Sequence, residues 1–85
     1  MTPAKRERLR TIYDQIRAWQ ATGDSPKLVI ANLQGQHGAT WRYTGGTYVL
    51  RLATIAVSCT AGEHGAVDAW LRKATLEIMK ANAAS

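Results

Sequence analysis

The sequence has 85 residues, enough for one small domain, because domains usually contain about 100–150 residues. Hydrophobic residues make up 46% and charged residues 20%, which is typical of a globular protein and excludes a disordered chain. Lys and Arg number 11 against 6 Asp and Glu, and this net charge of +5 favours an acidic partner.

Length and cysteine content exclude further classes of protein. No apolar run approaches the roughly 18–20 residues of a membrane-spanning helix, so we expect no contact with a membrane. The single cysteine excludes an internal disulfide framework and favours a reducing, cytoplasmic location. We expect one domain over residues 1–85, with an ordered core of about residues 3–81.

The first part of the chain has the apolar spacing of an amphipathic helix. Its apolar residues fall at i, i+3, i+4, i+7 and i+10: Leu9, Ile12, Tyr13, Ile16 and Trp19. Thr2 before Pro3 matches an N-cap with proline at the first helical position, and Gly23 supplies a stop. Residues 28–33 follow as a short β-prone run between Pro26 and a glycine-containing segment, and they predict a strand.

A glycine pair predicts a tight hairpin in the middle of the chain. Gly45 and Gly46 fit a two-residue turn in which both central residues have positive φ. Pairing Thr44 with Thr47 then sorts the side chains between two faces. One face holds Ala39, Trp41, Tyr43, Tyr48, Leu50 and Leu52, which we expect to point inward. The other holds Thr40, Arg42, Thr44, Thr47, Val49 and Arg51, which we expect to point outward.

The alternation of apolar residues changes phase after Leu52, which predicts a bulge or break near Ala53 and Thr54. A second amphipathic helix follows, with an apolar stripe of Val67, Trp70, Leu71, Ala74, Ile78 and Ala81. The sequence therefore predicts an α+β fold in the order α-β-β-β-α. Its three-stranded antiparallel sheet would be packed on one face by two amphipathic helices.

The sequence gives little support for catalytic or metal-binding chemistry. Cys59 and His64 form the one nucleophile–base pair, which Glu63 or Asp68 could orient. Cys59 has no Lys or Arg near it in the sequence to activate its thiol, so we favour a small buried cysteine. The spacing of His37, Cys59 and His64 matches no zinc site, and no glycine-rich stretch matches a phosphate-binding loop. We expect no enzyme activity, cofactor or metal.

Charge is the more informative feature. Residues 1–22 carry a surplus of three positive charges, and Arg6, Arg10 and Arg17 share one flank of the first helix. Arg42 and Arg51 lie on the polar face of the hairpin. Each set is either a solvated surface or a binding surface. Leu76 and Met79 fall outside the apolar stripe of the last helix, as isolated exposed residues or as a contact for a partner or a homodimer.

The predicted order of elements is similar to that of double-stranded RNA-binding domains. That family grips phosphates with a lysine cluster at the start of its second helix, where residues 62–68 of this chain are neutral to acidic. In size and in its lack of catalytic residues the chain also looks like small inhibitors of phages and mobile elements, including anti-CRISPR proteins. That resemblance implies action by occluding a host complex.

These observations favour a non-enzymatic basic binding protein, an inhibitor or adaptor of the phage or mobile-element type. It would occlude a nucleic-acid-handling partner by protein–protein contact. The expected contact residues are Arg6, Arg10, Arg17, Arg42, Arg51, Leu76 and Met79. The alternative is a module that binds nucleic acid directly with its basic helix and sheet face.

Overall fold

The structure is a computed structural model that describes the backbone of residues 3–83 and the burial of side chains 4–80. The elements are α1 (Pro3–Ala21), α2 (Pro26–His37), β1 (Thr40–Thr44), β2 (Thr47–Leu52), β3 (Ile55–Cys59) and α3 (Gly62–Ala83). The strands form one antiparallel sheet in the order β1-β2-β3. The predicted α+β class with a three-stranded antiparallel sheet is confirmed, although the order is α-α-β-β-β-α. The expected N-cap Thr2 lies outside the described residues.

Residues 28–33 are helical, so the prediction of a strand there was wrong. Ser25 is extended, with φ −68° and ψ 153°, and its Oγ accepts a hydrogen bond from the Leu28 N–H at 3.3 Å. Pro26 follows in the first turn, where its fixed φ suits a helix and its missing N–H costs nothing. Gly38 ends α2 in the left-handed conformation. These caps and the burial of one face outweigh the β-propensity of the segment.

The glycine hairpin forms in the predicted register. Gly45 and Gly46 have φ values of 56° and 83°, and Thr44 pairs with Thr47. A second tight reversal follows, because Leu52 pairs with Ile55 across the two-residue turn at Ala53 and Thr54. The predicted break near Ala53 is therefore confirmed. It creates β3, which supplies the third strand in place of the misassigned segment.

One face of the sheet is covered and the other is open. Helix α3 packs along β2 and β3, α2 reaches β1, and α1 lies against α3 and α2. The core contains residues from all three helices and the sheet, among them Leu9, Ile12, Ile16, Val29, Ile30, Leu33, Leu50, Leu52, Ile55, Val67, Trp70 and Ala74. Burial of this apolar surface supplies the main stabilisation of the fold.

Two side chains of α3 bond to the backbone of the sheet. The Trp70 indole donates to the Leu52 carbonyl at 3.3 Å, and the Lys73 ammonium donates to the Ala56 carbonyl at 3.2 Å. Ala56 belongs to β3, which is an edge strand. Helix α3 is therefore fixed against the sheet at two points, which sets the direction of its remaining faces.

The aromatic residues of the hairpin are less buried than expected. Trp41 and Tyr48 stack with ring centroids 5.2 Å apart, and Tyr43 lies 4.7 Å from Tyr48 at a tilt of 51°. Trp41 and Tyr48 are half-buried, but Tyr43 is 64% exposed, so its expected inward placement was wrong. Tyr43 belongs to the second pair from the glycine turn, where the hairpin extends beyond the core.

Candidate functional site

Cys59 and His64, the candidate nucleophile and base, bond to different groups. The Cys59 thiol donates to the carbonyl of Gly62 at 3.4 Å, whereas the His64 Nε2 lies 3.3 Å from an Asp68 carboxylate oxygen. Each side chain thus has a different partner. Among the described residues, no three His, Cys, Asp or Glu side chains are grouped to hold a metal ion. Within the same residues, none of the helices has the length and apolar character to cross a bilayer.

A groove runs along the seam between α1 and α3. It consists of two adjoining depressions of about 250 and 230 Å³, which share Tyr13 and Thr75 as lining residues. The first is also lined by Arg10, Asp14, Ile78 and Met79. The second is also lined by Arg17, Asp68, Leu71 and Arg72. Higher-numbered residues of α1 meet lower-numbered residues of α3, so the two helices are antiparallel along the groove.

The predicted basic stripe of α1 borders this groove. Arg10 and Arg17 line it directly. Arg6 precedes Tyr13 by seven residues, about two helical turns, and therefore lies on the same side of α1. The opposite wall contributes a third guanidinium from Arg72. The groove thus concentrates positive charge from both helices.

Of the two apolar residues outside the predicted stripe of α3, Met79 lies at the same groove. Met79 lines it and is 60% exposed, and Leu76 is 56% exposed on the next position around the helix. In the sequence, Met79 and the arginines of α1 are far apart and were separate candidates for contact with a partner. In the fold they line one groove. Tyr13 and Arg72 were not predicted as site residues. Tyr13 was assigned to the apolar stripe, and no sequence signal shows that α1 and α3 are neighbours.

The groove has mixed chemistry, because carboxylates and apolar groups accompany its arginines. Asp14 lines the first depression and Asp68 lines the second. Apolar anchors within a rim of charges of both signs are typical of protein–protein interfaces. The two carboxylates would repel phosphate groups that approached along the groove.

The open face of the sheet has a different composition. Thr40, Arg42, Val49 and Arg51 line a depression of about 230 Å³. Arg42 pairs with Val49 and Thr40 pairs with Arg51, so the two arginines are diagonal neighbours on adjacent strands. The chain has no Asp or Glu between Asp24 and Glu63, and therefore none on any strand. This face carries positive charge without a compensating carboxylate of its own.

The groove and the open sheet face lie on opposite sides of the molecule. Trp70 marks the side of α3 that faces the sheet, because its indole bonds to Leu52. Met79 follows Trp70 by nine residues, which is about two and a half helical turns and places it on the far side of the helix. The two basic surfaces could therefore be occupied at the same time.

Comparison with known proteins identifies no relative. No family model, curated protein or solved structure matches the chain.

Proposed function

We propose that this protein is a non-enzymatic binding protein that contacts an acidic surface of a nucleic-acid-handling protein through the α1–α3 groove. It would act as an inhibitor or adaptor by occluding or linking that partner, in the manner of phage and mobile-element inhibitors such as anti-CRISPR proteins. The proposal is supported by one observation above all. The groove places Arg10, Arg17 and Arg72 beside the exposed apolar side chain of Met79, and Leu76 is exposed nearby on α3.

The chemistry of the groove favours an acidic partner with apolar anchors. Complementary charge speeds encounter and selects among partners, whereas burial of apolar anchors supplies most of the affinity. Met79 suits the second role, because its unbranched thioether side chain adapts to irregular surfaces. Tyr13, at the centre of the groove, offers both an aromatic ring and a hydroxyl group to a partner.

The mixed charge of the groove favours a protein over a nucleic acid as its occupant. A phosphate backbone presents negative charge along its whole length and would meet Asp14 and Asp68 as well as the arginines. A protein surface can instead place its own basic or hydrogen-bonding groups opposite these two carboxylates.

A charge reversal with a matched control tests this assignment. A partner captured by the wild-type protein is purified and titrated with wild type, Arg17→Glu and Arg8→Glu. Arg8 is exposed on the same helix, but it precedes Tyr13 by five residues and therefore lies away from the groove. We expect Arg17→Glu to weaken binding by about tenfold or more, and Arg8→Glu to change it by less than about threefold.

Two results contradict the proposed function. One is equal weakening by both substitutions, which would indicate attraction by net charge alone. The other is unchanged affinity of Arg17→Glu, which would place the contact elsewhere. Circular dichroism and thermal unfolding of each variant establish that the fold is retained, as expected for exposed side chains.

A further inference from the structure

We infer that the open face of the sheet binds the phosphate backbone of a nucleic acid duplex. This site goes beyond the proposed function, because it lies opposite the groove and uses other residues. Its elements are the guanidinium groups of Arg42 and Arg51 and a set of neighbouring hydroxyls.

The two arginines of this surface lie on adjacent strands. Arg42 lies on β1, Arg51 lies on β2, and their diagonal placement puts them about 7–8 Å apart at the backbone. Ala56 is paired with Arg51, and its carbonyl accepts the bond from Lys73. Lys73 approaches this edge from α3 on the covered side, so Arg42 and Arg51 are the cations that the strands present on the open face, and their long side chains can reach neighbouring phosphates.

Hydroxyl groups surround these cations. The alternation of the strands places them on the same face as the arginines: Thr40, Thr44, Thr47 and Ser58. Phosphate oxygens in complexes with nucleic acids are bound chiefly by Arg and Lys, with Ser and Thr side chains among the other donors. The face therefore offers charge and neutral donors together, with no carboxylate on the strands to oppose a phosphate.

The same face lacks the groups that other partners require. The aromatic residues of the hairpin belong to the covered face, so no ring is available beside the arginines to stack on an unpaired base. Its apolar residues are small, Val49 and Ala56, and they do not provide the large anchor that is typical of a protein interface. A duplex, which encloses its bases and presents phosphates, fits these properties best.

Salt dependence provides a quantitative test. A fluorescent DNA duplex of mixed sequence is titrated at several salt concentrations with wild type, Arg42→Gln, Arg51→Gln and the double variant. Each phosphate contact contributes a slope of about −0.9 to the plot of log affinity against log salt concentration. We expect each single substitution to reduce the steepness by about 0.9 and the double substitution to reduce it by about 1.8. Arg42 and Arg51 are exposed, so their replacement should leave the fold intact.

Arg72→Gln is the matched control, because it removes the same charge from the opposite side of the molecule. We expect it to leave the slope for DNA unchanged. Three results overturn the inference: no binding of the duplex at low salt, an equal loss of slope in the control, or tighter binding of a single strand that is lost in Tyr43→Ala. The last result would indicate that nucleic acid binds at the aromatic residues of the hairpin instead of at the two arginines. Unchanged binding of the protein partner by the double variant would leave the proposed function intact in each case.

Discussion

The indole nitrogen of Trp70 donates a hydrogen bond to the carbonyl oxygen of Leu52 at 3.3 Å, and both residues are buried. Leu52 ends β2 immediately before the turn to β3. One side chain of α3 thus satisfies a buried polar group at the point where the sheet reverses direction. Because a buried acceptor without a partner is costly, this contact helps to define how the helix sits on the sheet.

Replacing Trp70 with Phe should lower the free energy of unfolding by about 2–3 kcal/mol, because it opens a cavity and leaves the Leu52 carbonyl without its donor. Urea unfolding followed by circular dichroism measures the change. Trp41→Phe is the control, since Trp41 is half-buried and has no such bond among the described contacts. Equal losses in the two variants would show that the hydrogen bond and full burial contribute nothing extra.

Replacing Ala53 with Gly should stabilise the protein by about 0.5–1 kcal/mol. Ala53 has φ 55° and is the one non-glycine residue with positive φ in the described part of the chain. Its Cβ makes this conformation unfavourable, whereas glycine adopts it readily. Ala56→Gly, in the exposed middle of β3, should instead destabilise by about 0.5–1 kcal/mol, because there glycine only adds conformational freedom to the unfolded chain. A loss of stability in both variants would contradict backbone strain at Ala53.

Two of the helical glycines, Gly35 and Gly65, should respond in opposite ways to replacement by Ala. A Cβ added at Gly35 of α2 meets nothing within 4 Å, so Gly35→Ala should stabilise by about 0.5–1 kcal/mol. A Cβ added at Gly65 of α3 would lie 2.6 Å from the Cβ of Ala61 and 3.3 Å from the Cys59 sulfur. Gly65→Ala should therefore destabilise by about 1–3 kcal/mol. Thermal unfolding compares them, and a gain from both would mean that the first turn of α3 packs more loosely.

Leu76→Gln and Met79→Gln should each change stability by less than about 0.5 kcal/mol, because both side chains are more than half exposed. Both should weaken binding of the protein partner, because they remove apolar area beside the groove. Leu28→Gln is the matched control, since Leu28 is 47% exposed but lies on α2. Titration of the purified partner measures the affinity. Sedimentation of the same variants tests the alternative of a homodimer through the last helix, which Leu76→Gln would weaken.

The hairpin shows what the sequence could predict. Gly45 and Gly46 specify a two-residue reversal, and that length fixes the pairing of every residue from Thr40 to Arg51. A shift of one residue would exchange the two faces, so pattern and turn agree on one register. Local sequence is sufficient to predict contacts between residues that lie close together in the chain.

Helix α2 shows where local pattern misleads. Residues 28–33 read as β-prone, although Ser25 and Pro26 before them form the start signal of a helix. The buried residues Val29, Ile30 and Leu33 also fit one face of a helix. A short apolar run is compatible with either structure by periodicity alone, and here the capping residues decide.

The groove could not be predicted, because it depends on a contact between the two ends of the chain. Arg10 and Arg17 were expected to share a flank, and they do. The position of Met79 beside them follows only from the antiparallel packing of α1 on α3. No pattern within either helix specifies which helix it will meet.

The bond from Lys73 to the Ala56 carbonyl also bears on self-association of the folded protein. A foreign strand that docked on β3 would have to displace an ammonium group from a backbone acceptor, and lysine at such a border discourages that addition. Polymerisation by strand addition requires two sheet edges that can pair on every molecule, because each molecule must bind a neighbour on both sides. Because Lys73 guards the β3 edge in this way, growth of a fibril by strand addition at β3 is disfavoured.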